Sequence, residues 1–198
     1  MNSFTRMWRT WRHGRKLTKK GHNFRFTGQA LTIEGHVEVG DRCRFRENVT
    51  LRALGDGKII FGSRTGCSWH CYMEARELIH IKPYAGVAEH VVLCDTEYQF
   101  MGNKDSWKRV PVRTAPIIVE SNCFIGNGCY VGPGVTVGDG AVVAHHSVVL
   151  CDIPPLEIWG GVPARKMGHR TEGVPERVLE EFRRLAEEHG IQEDRHQL

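Results

Sequence analysis

The sequence predicts an all-β fold, a parallel β-helix whose short strands stack coil upon coil, and three observations predict it. From Val119 an apolar residue returns at every sixth position, through Ile125, Val131, Val137, Val143 and Val149. Four places after each stands a small or apolar residue: Cys123, Cys129, Val135, Ala141, Ser147 and Ile153. The same phase runs upstream through Ile33, Val39, Phe45 and Leu51, then Phe61, Cys67 and Met73, then Ile81, Val87 and Leu93. A fixed short period of this kind marks a repeat architecture, with one strand and one turn per unit. Neighbouring coils should then lie about 4.8 Å apart, the ordinary strand spacing.

The breaks in the period are as informative as the period. Leu51 to Phe61, Met73 to Ile81 and Leu93 to Val119 are all longer than six residues. With three strands per coil, and coils starting at Phe45, Cys67, Val87, Ile125 and Val143, every break falls on one corner of the prism. The longest makes a loop over 94–118, and a connection of that length in a compact domain is usually functional or disordered. The prism is expected over 26–156, with an N-terminal arm at 1–25 and a tail and helix at 157–198. In the arm, Phe4, Met7, Trp8 and Trp11 share one helical face. That face suits either a membrane surface or the open end of the coil. In the tail, Val178, Leu179, Phe182, Leu185 and Ala186 form an apolar stripe beyond Pro175.

Charge sorts along the chain. The formal charge of +4 comes from 27 Lys and Arg against 23 Asp and Glu. Eight of the bases and none of the acids lie in residues 1–25, leaving the body at −4. A broadly basic nucleic-acid face is therefore not expected. Seven cysteines include no CxxC pair, which argues for a reducing cytosol over a disulfide framework or zinc knuckle. Cys43, Cys67, Cys71, Cys123 and Cys129 fall on inward positions of the repeat, where a small apolar thiol packs well. Cys94 and Cys151 do not. Asn48, His70, His90, Gly128 and His146 share one repeat position and should form a column at a corner. Gly, Asn and His there fit a turn that needs left-handed backbone, more readily than a metal site. No histidine lies between His90 and His145, so a three-histidine zinc site is not predicted and no metal is expected.

The repeat, the loop Cys94-Asp95-Thr96-Glu97-Tyr98-Gln99-Phe100 and the segment Gly160-Gly161-Val162-Pro163-Ala164-Arg165-Lys166 together resemble the hexapeptide-repeat acyltransferases. Within that superfamily the sugar, capsule and colanic-acid type O-acetyltransferases are the nearest subgroup. The resemblance covers about residues 30–170 and is most specific in Ile118–Pro154. It implies a left-handed coil, although ordinary crossover chirality argues for the opposite hand. It also implies a homotrimer whose loop reaches a neighbouring subunit, acetyl-CoA as co-substrate, and a sugar, glycan precursor or other hydroxyl compound as acceptor. In this family a base takes the acceptor's proton as its oxygen attacks the thioester.

Carried onto this chain, the family's catalytic histidine falls on Tyr98. A phenol with a reference pKa of about 10 is a poor base at neutral pH, so Glu97 and His90 join Tyr98 as catalytic candidates. The cofactor-lining positions fall on Asn127, His145 and His146, with Arg165 and Arg170 available to phosphates. Leu150-Cys151 replaces the usual Thr-Lys before Asp152-Ile153-Pro154. These departures leave two rivals to acyl transfer: altered chemistry on the same scaffold, or a catalytically lapsed binding protein. The expected location is the cytoplasm, with the arm able to contact the inner face of the membrane.

Overall fold

The computed structural model describes residues 10–28, 30–102 and 104–173, together with 176, 177, 180 and 184. Three parallel faces wrap one apolar interior through about seven coils. The first face stacks Lys19–Lys20, His36–Val39, Lys58–Phe61, Leu78–Ile81, Ile117–Val119 and Thr136–Val137. The second stacks Arg25–Phe26, Arg44–Phe45, Gly66–Cys67, Gly86–Val87, Phe124–Ile125 and Val142–Val143, closed by Glu157–Gly161 and Ala164–His169. The third stacks Leu31–Glu34, Val49–Ala53, Tyr72–Ala75, Val92–Cys94, Tyr130–Val131 and Val148–Val149.

The leading apolar residues explain the stacking. On the second face Phe26, Phe45, Cys67, Val87, Ile125 and Val143 lie in register, one per coil, all within the core. Each strand is short because only one to three of its residues point inward before a corner must follow. The corners use left-handed backbone: Asn48, His70, His90, Gly128 and His146 have φ between 55° and 68°. Asn23, Arg42, Arg64, Tyr84, Asn122, Gly140 and Leu156 form the matching column at the corner between the first and second faces. The histidine column is thus a backbone requirement, although its rings do meet: His70 and His90 stack at 4.9 Å, nearly parallel.

Every irregular connection lies at the corner between the third and first faces, as the breaks in the period require. The 94–118 loop carries its own antiparallel hairpin, Thr96–Tyr98 against Val112–Thr114, and a short 3-10 turn at Trp107–Arg109.

The ends add to the prism. Lys19–Lys20, inside the expected arm, already pairs with Glu38 and Val39. Residues 10–14 are helical. Thr10 Oγ1 donates to the Phe26 carbonyl and accepts from the Phe26 N–H, both at 3.3 Å, and His13 meets the Phe26 ring edge at 4.9 Å. This turn therefore covers the first coil, while Trp11 stays 54% exposed with the Arg15 guanidinium 5.1 Å from its ring centroid. Phe4, Met7 and Trp8 lie outside the described residues, as do Pro175, Val178, Leu179, Phe182, Leu185 and Ala186. Glu157–Gly161 and Ala164–His169, inside the expected tail, form a hairpin that finishes the second face. Among the described residues no helix is long and apolar enough to cross a membrane.

The five repeat-phased cysteines are buried, Cys94 is half-buried and Cys151 is exposed. Burial pushes the Cys123 thiol up to about 12 and also raises Cys67, Cys94 and Cys129. A thiol-reactive dye at pH 8 should therefore label Cys151 rapidly and Cys94 slowly in the native protein. The other five should react only on unfolding, and fast native labelling at Cys123 or Cys129 would contradict the packed interior.

Candidate active site

The loop root is built around one carboxylate. Asp95 is completely buried where the third face ends. Its Oδ2 accepts from the backbone N–H groups of Glu77 at 2.8 Å and Leu78 at 3.0 Å, and the Arg76 N–H is shared between Oδ1 and Oδ2 at 2.9 and 3.0 Å. The Thr96 hydroxyl donates to Oδ1 at 3.0 Å. The Asp95 carbonyl accepts from Ala115 N–H at 3.0 Å, where the loop returns. One residue therefore ties the insertion to the coil beneath it and closes its two ends. Its helix-free setting works like an N-cap: an anion satisfies N–H groups that the interrupted coil leaves without strand partners. Nothing in the repeat marks Asp95, because its role depends on the neighbouring coil's corner.

Beyond Asp95 the hairpin projects Glu97 and Tyr98 outward. Glu97 accepts from Arg113 Nη2 and from Gln99 Nε2, both at 3.3 Å. Tyr98 is 41% exposed, with its ring 5.9 Å from that of Phe100. Phe100, Met101 and Val112 are also exposed, so the hairpin presents an apolar surface. At its root stand half-buried Cys94 and Tyr130. Burial raises the Tyr130 phenol above its ordinary range, and the charges of Cys94 and Glu97 raise it further. Tyr130 is thus held toward its protonated form, in which its hydroxyl can donate. The sequence reading missed it, though its outward position in the first coil after the insertion was a usable signal.

His90 stands elsewhere, at the corner between the second and third faces, a full strand from the loop root. Within one protomer the three catalytic candidates are thus split, with Glu97 and Tyr98 at one edge of the third face and His90 at the other. Three of the cofactor candidates share His90's edge. His145 Nδ1 accepts from the Asn127 N–H at 2.9 Å, the Asn127 carbonyl accepts from the His146 N–H at 2.7 Å, and Asn127 Oδ1 accepts from the Glu89 N–H at 3.4 Å.

The closing hairpin separates the two arginines. Arg165 is paired with Gly160, beside the end of the hairpin where Gly161 N–H donates to Ser147 Oγ at 3.1 Å. That is the Asn127–His146 edge, and Arg165 is exposed there. Arg170 lies at the other end of the hairpin, with Nη1 donating to the carbonyls of Gly140 at 2.8 Å and Asn122 at 3.4 Å. It braces the corner between the first and second faces, on the opposite edge from His145 and His146. Glu157 steadies the hairpin by accepting from Lys166 Nζ at 2.7 Å and Trp159 Nε1 at 2.6 Å, and these bonds, the lysine's first, hold its carboxyl below the usual range. Among the described residues no group of three or more His, Cys, Asp and Glu side chains is arranged to hold a metal ion.

Replacing Asp95 by Ala should leave the N–H groups of Arg76, Glu77 and Leu78 without this acceptor, a loss of about 1–3 kcal/mol or more, since a buried donor left unsatisfied costs about that much. Asn should fall between, since it retains a single acceptor oxygen. Urea unfolding measures the loss, and proteolysis within 96–114 should accelerate in both variants. Unchanged stability in Asp95→Ala would refute the anchoring role.

Comparison with known proteins adds three findings. The bacterial transferase hexapeptide (six repeats) family matches residues 116–151. A search of curated sequences returns no match. Among solved structures, a mutant of AntD, an N-acyltransferase from Bacillus cereus in complex with dTDP and coenzyme A, shares 21% identity. The match covers 89% of this chain and 95% of that one, with a TM-score of 0.73. A hexapeptide-repeat acetyltransferase of Vibrio cholerae O1 biovar eltor, complexed with acetyl coenzyme A, matches at 20% identity over 83% and 79% of the two chains, TM-score 0.61. A galactoside acetyltransferase in complex with coenzyme A matches at 19% over 79% and 66%, TM-score 0.53. The repeat matched in sequence over residues 116–151 and the coil matched in structure agree on the fold, a parallel β-helix of hexapeptide repeats.

Proposed function

We propose that the protein is an acyl-CoA-dependent acyltransferase acting on a hydroxyl group of a sugar or glycan precursor. The observation that carries this reading is the likeness along nearly the whole chain to acyltransferases solved with coenzyme A. The site forms between protomers of a homotrimer. The loop of one protomer, with its exposed Phe100, Met101 and Val112, docks on its neighbour and brings Glu97 and Tyr98 to the neighbour's His90 edge. The pantetheine arm of the donor lies along Asn127, His145 and His146, and Arg165 takes a phosphate. Arg170, already committed to two carbonyls, serves the fold and not the cofactor.

In this arrangement Glu97 or His90 accepts the proton of the acceptor hydroxyl as its oxygen attacks the thioester carbon. The carbon–sulfur bond then breaks, and the CoA thiolate leaves and is protonated. The donors Tyr130 and Tyr98 flank the charge that develops. A general base contributes typically 10²–10⁴-fold, so the tyrosine at the family's histidine position slows turnover without abolishing it. The same replacement favours a second reading, a binding protein without turnover.

Purified protein incubated with acetyl-CoA and a panel of sugars should release thiol in an acceptor-dependent way. Glu97→Gln or His90→Ala should lower kcat by about 10²-fold or more. Mixing and reassembling subunits of these two variants should recover part of the activity, since some mixed sites are intact. Absence of thiol release together with no thermal shift by CoA would overturn the reading. Activity that emerges only in Tyr98→His would favour the second one.

A further inference from the structure

The outward side of the second face changes character along its length. Its outward residues, coil by coil, are Arg25, Arg44, Gly66, Gly86, Phe124 and Val142. Where the two glycines fall, the face has no side chains and a groove of about 270 Å³ opens. One wall is Arg64, whose guanidinium carbon lies 5.6 Å from the centroid of the Tyr84 ring. The other is Arg46, 4.5 Å from the Trp69 ring. Arg44 closes the lower end, and below it Arg25, Arg42 and Arg44 border a second depression of about 370 Å³.

Five arginines thus face one surface, and four of them, Arg42, Arg44, Arg46 and Arg64, belong to the body whose net charge is negative. Among the described residues none of the five makes an ion pair with a carboxylate, although the protein pairs other surface cations freely, Arg52 with Glu34 and Glu74 and Lys82 with Glu120. Asp41 and Glu47, the acids nearest in sequence, stand at the corners; Asp41 Oδ1 accepts from the His22 N–H at 2.6 Å. The two aromatic rings hold Arg46 and Arg64 in place by cation–π contact, which leaves their N–H edges free to bond a ligand.

The two floor glycines differ in a telling way. At Gly66 an added Cβ would lie 1.8 Å from the Arg44 carbonyl oxygen, so the coil itself demands glycine. At Gly86 the nearest atom to an added Cβ is the Phe124 side chain at 3.3 Å, and Phe124 is 43% exposed and able to swing away. The fold does not require glycine there. The open floor does.

We propose that this groove binds a linked diphosphate. Three guanidinium groups, Arg44, Arg46 and Arg64, around one groove supply more positive charge than a single phosphate needs, and each offers the fork that matches phosphate oxygens bidentately. Trp69 immediately precedes His70, so a diphosphate held here directs whatever it carries toward the His70–His90 edge. Resting on the acyltransferase reading, the groove makes the acceptor a diphosphate-linked sugar, carried on either a soluble nucleotide or a lipid.

Calorimetry with inorganic pyrophosphate tests the groove directly. The full-length protein should bind pyrophosphate more tightly than orthophosphate. Arg44→Ala with Arg64→Ala should weaken binding by tenfold or more, and Arg44→Lys with Arg64→Lys should restore only part. Gly86→Leu, which fills the floor without changing charge, should also weaken it by tenfold or more. Tighter binding of a nucleoside diphosphate that depends on these arginines would identify the soluble carrier. Arginine-dependent binding to neutral vesicles doped with a prenyl diphosphate would identify the lipid one. Pyrophosphate affinity equal to that of orthophosphate, or unchanged in the arginine and Gly86 variants, would overturn the proposal and assign any residual binding to the basic arm. Acetyl transfer to an uncharged sugar, measured in the same variants, keeps the two readings apart, since it should persist when the groove is lost.

Discussion

Each strand of this protein hydrogen-bonds to its equivalent one coil above and one coil below, and that ladder constrains everything else. A residue facing inward packs on the same position of its neighbours above and below, so apolar character runs down a column: Phe26 on Phe45, Val131 on Val149, Ile79 between Ile59 and Ile117. A residue at a corner must turn the chain within the same few positions in every coil, so the left-handed backbone conformation recurs at Asn48, His70, His90, Gly128 and His146. The interior tolerates thiols because a cysteine fills a small column position and its Sγ reaches a corner carbonyl. Cys71 to Ala88 at 2.9 Å and Cys129 to Ala144 at 3.0 Å are examples. Chemistry is therefore displaced to the outside: to outward strand positions, corners and insertions.

The insertion shows how the ladder is interrupted without being lost. Between Cys94 and Ile117 the chain leaves the prism, yet Leu78–Ile81 pairs directly with Ile117–Val119 as though nothing intervened. Asp95 makes this possible by taking the N–H groups of Arg76, Glu77 and Leu78, which face the gap in the coil. A buried carboxylate with that many donors is a stable arrangement, because the charge-assisted bonds replace those lost to water. The hairpin beyond it is then free to carry exposed aromatic and charged groups outward, which the prism's own strands cannot do.

Charge on this protein has to be read by face as well as by segment. The +8 of residues 1–25 and the −4 of the body are correct sums, and a sum hides an arrangement. Carboxylates of the body are spent in ladders such as Glu34–Arg52–Glu74 on the third face, while Arg25, Arg42, Arg44, Arg46 and Arg64 gather on the second without them. Arg42, Arg44 and Arg46 lie close together in the sequence, while Arg25 and Arg64 join them only after the chain has passed round the other two faces.

The sequence by itself determined the coil, the three faces, the one decorated corner and the burial of five cysteines, because each of these follows from a period of six and from which side of a strand is apolar. It also determined that the shared histidine position is a turn position. Tertiary structure decided what sits beside what. It placed His90 a strand away from Glu97, Arg165 and Arg170 at opposite ends of one hairpin, Tyr130 against the loop root, and the arginines around a glycine floor. The last two join residues from different coils, and they depend on how many residues a corner absorbs before the next strand begins. A repeat announces its own period, whereas the exceptions to the period acquire their partners only when the coils are stacked.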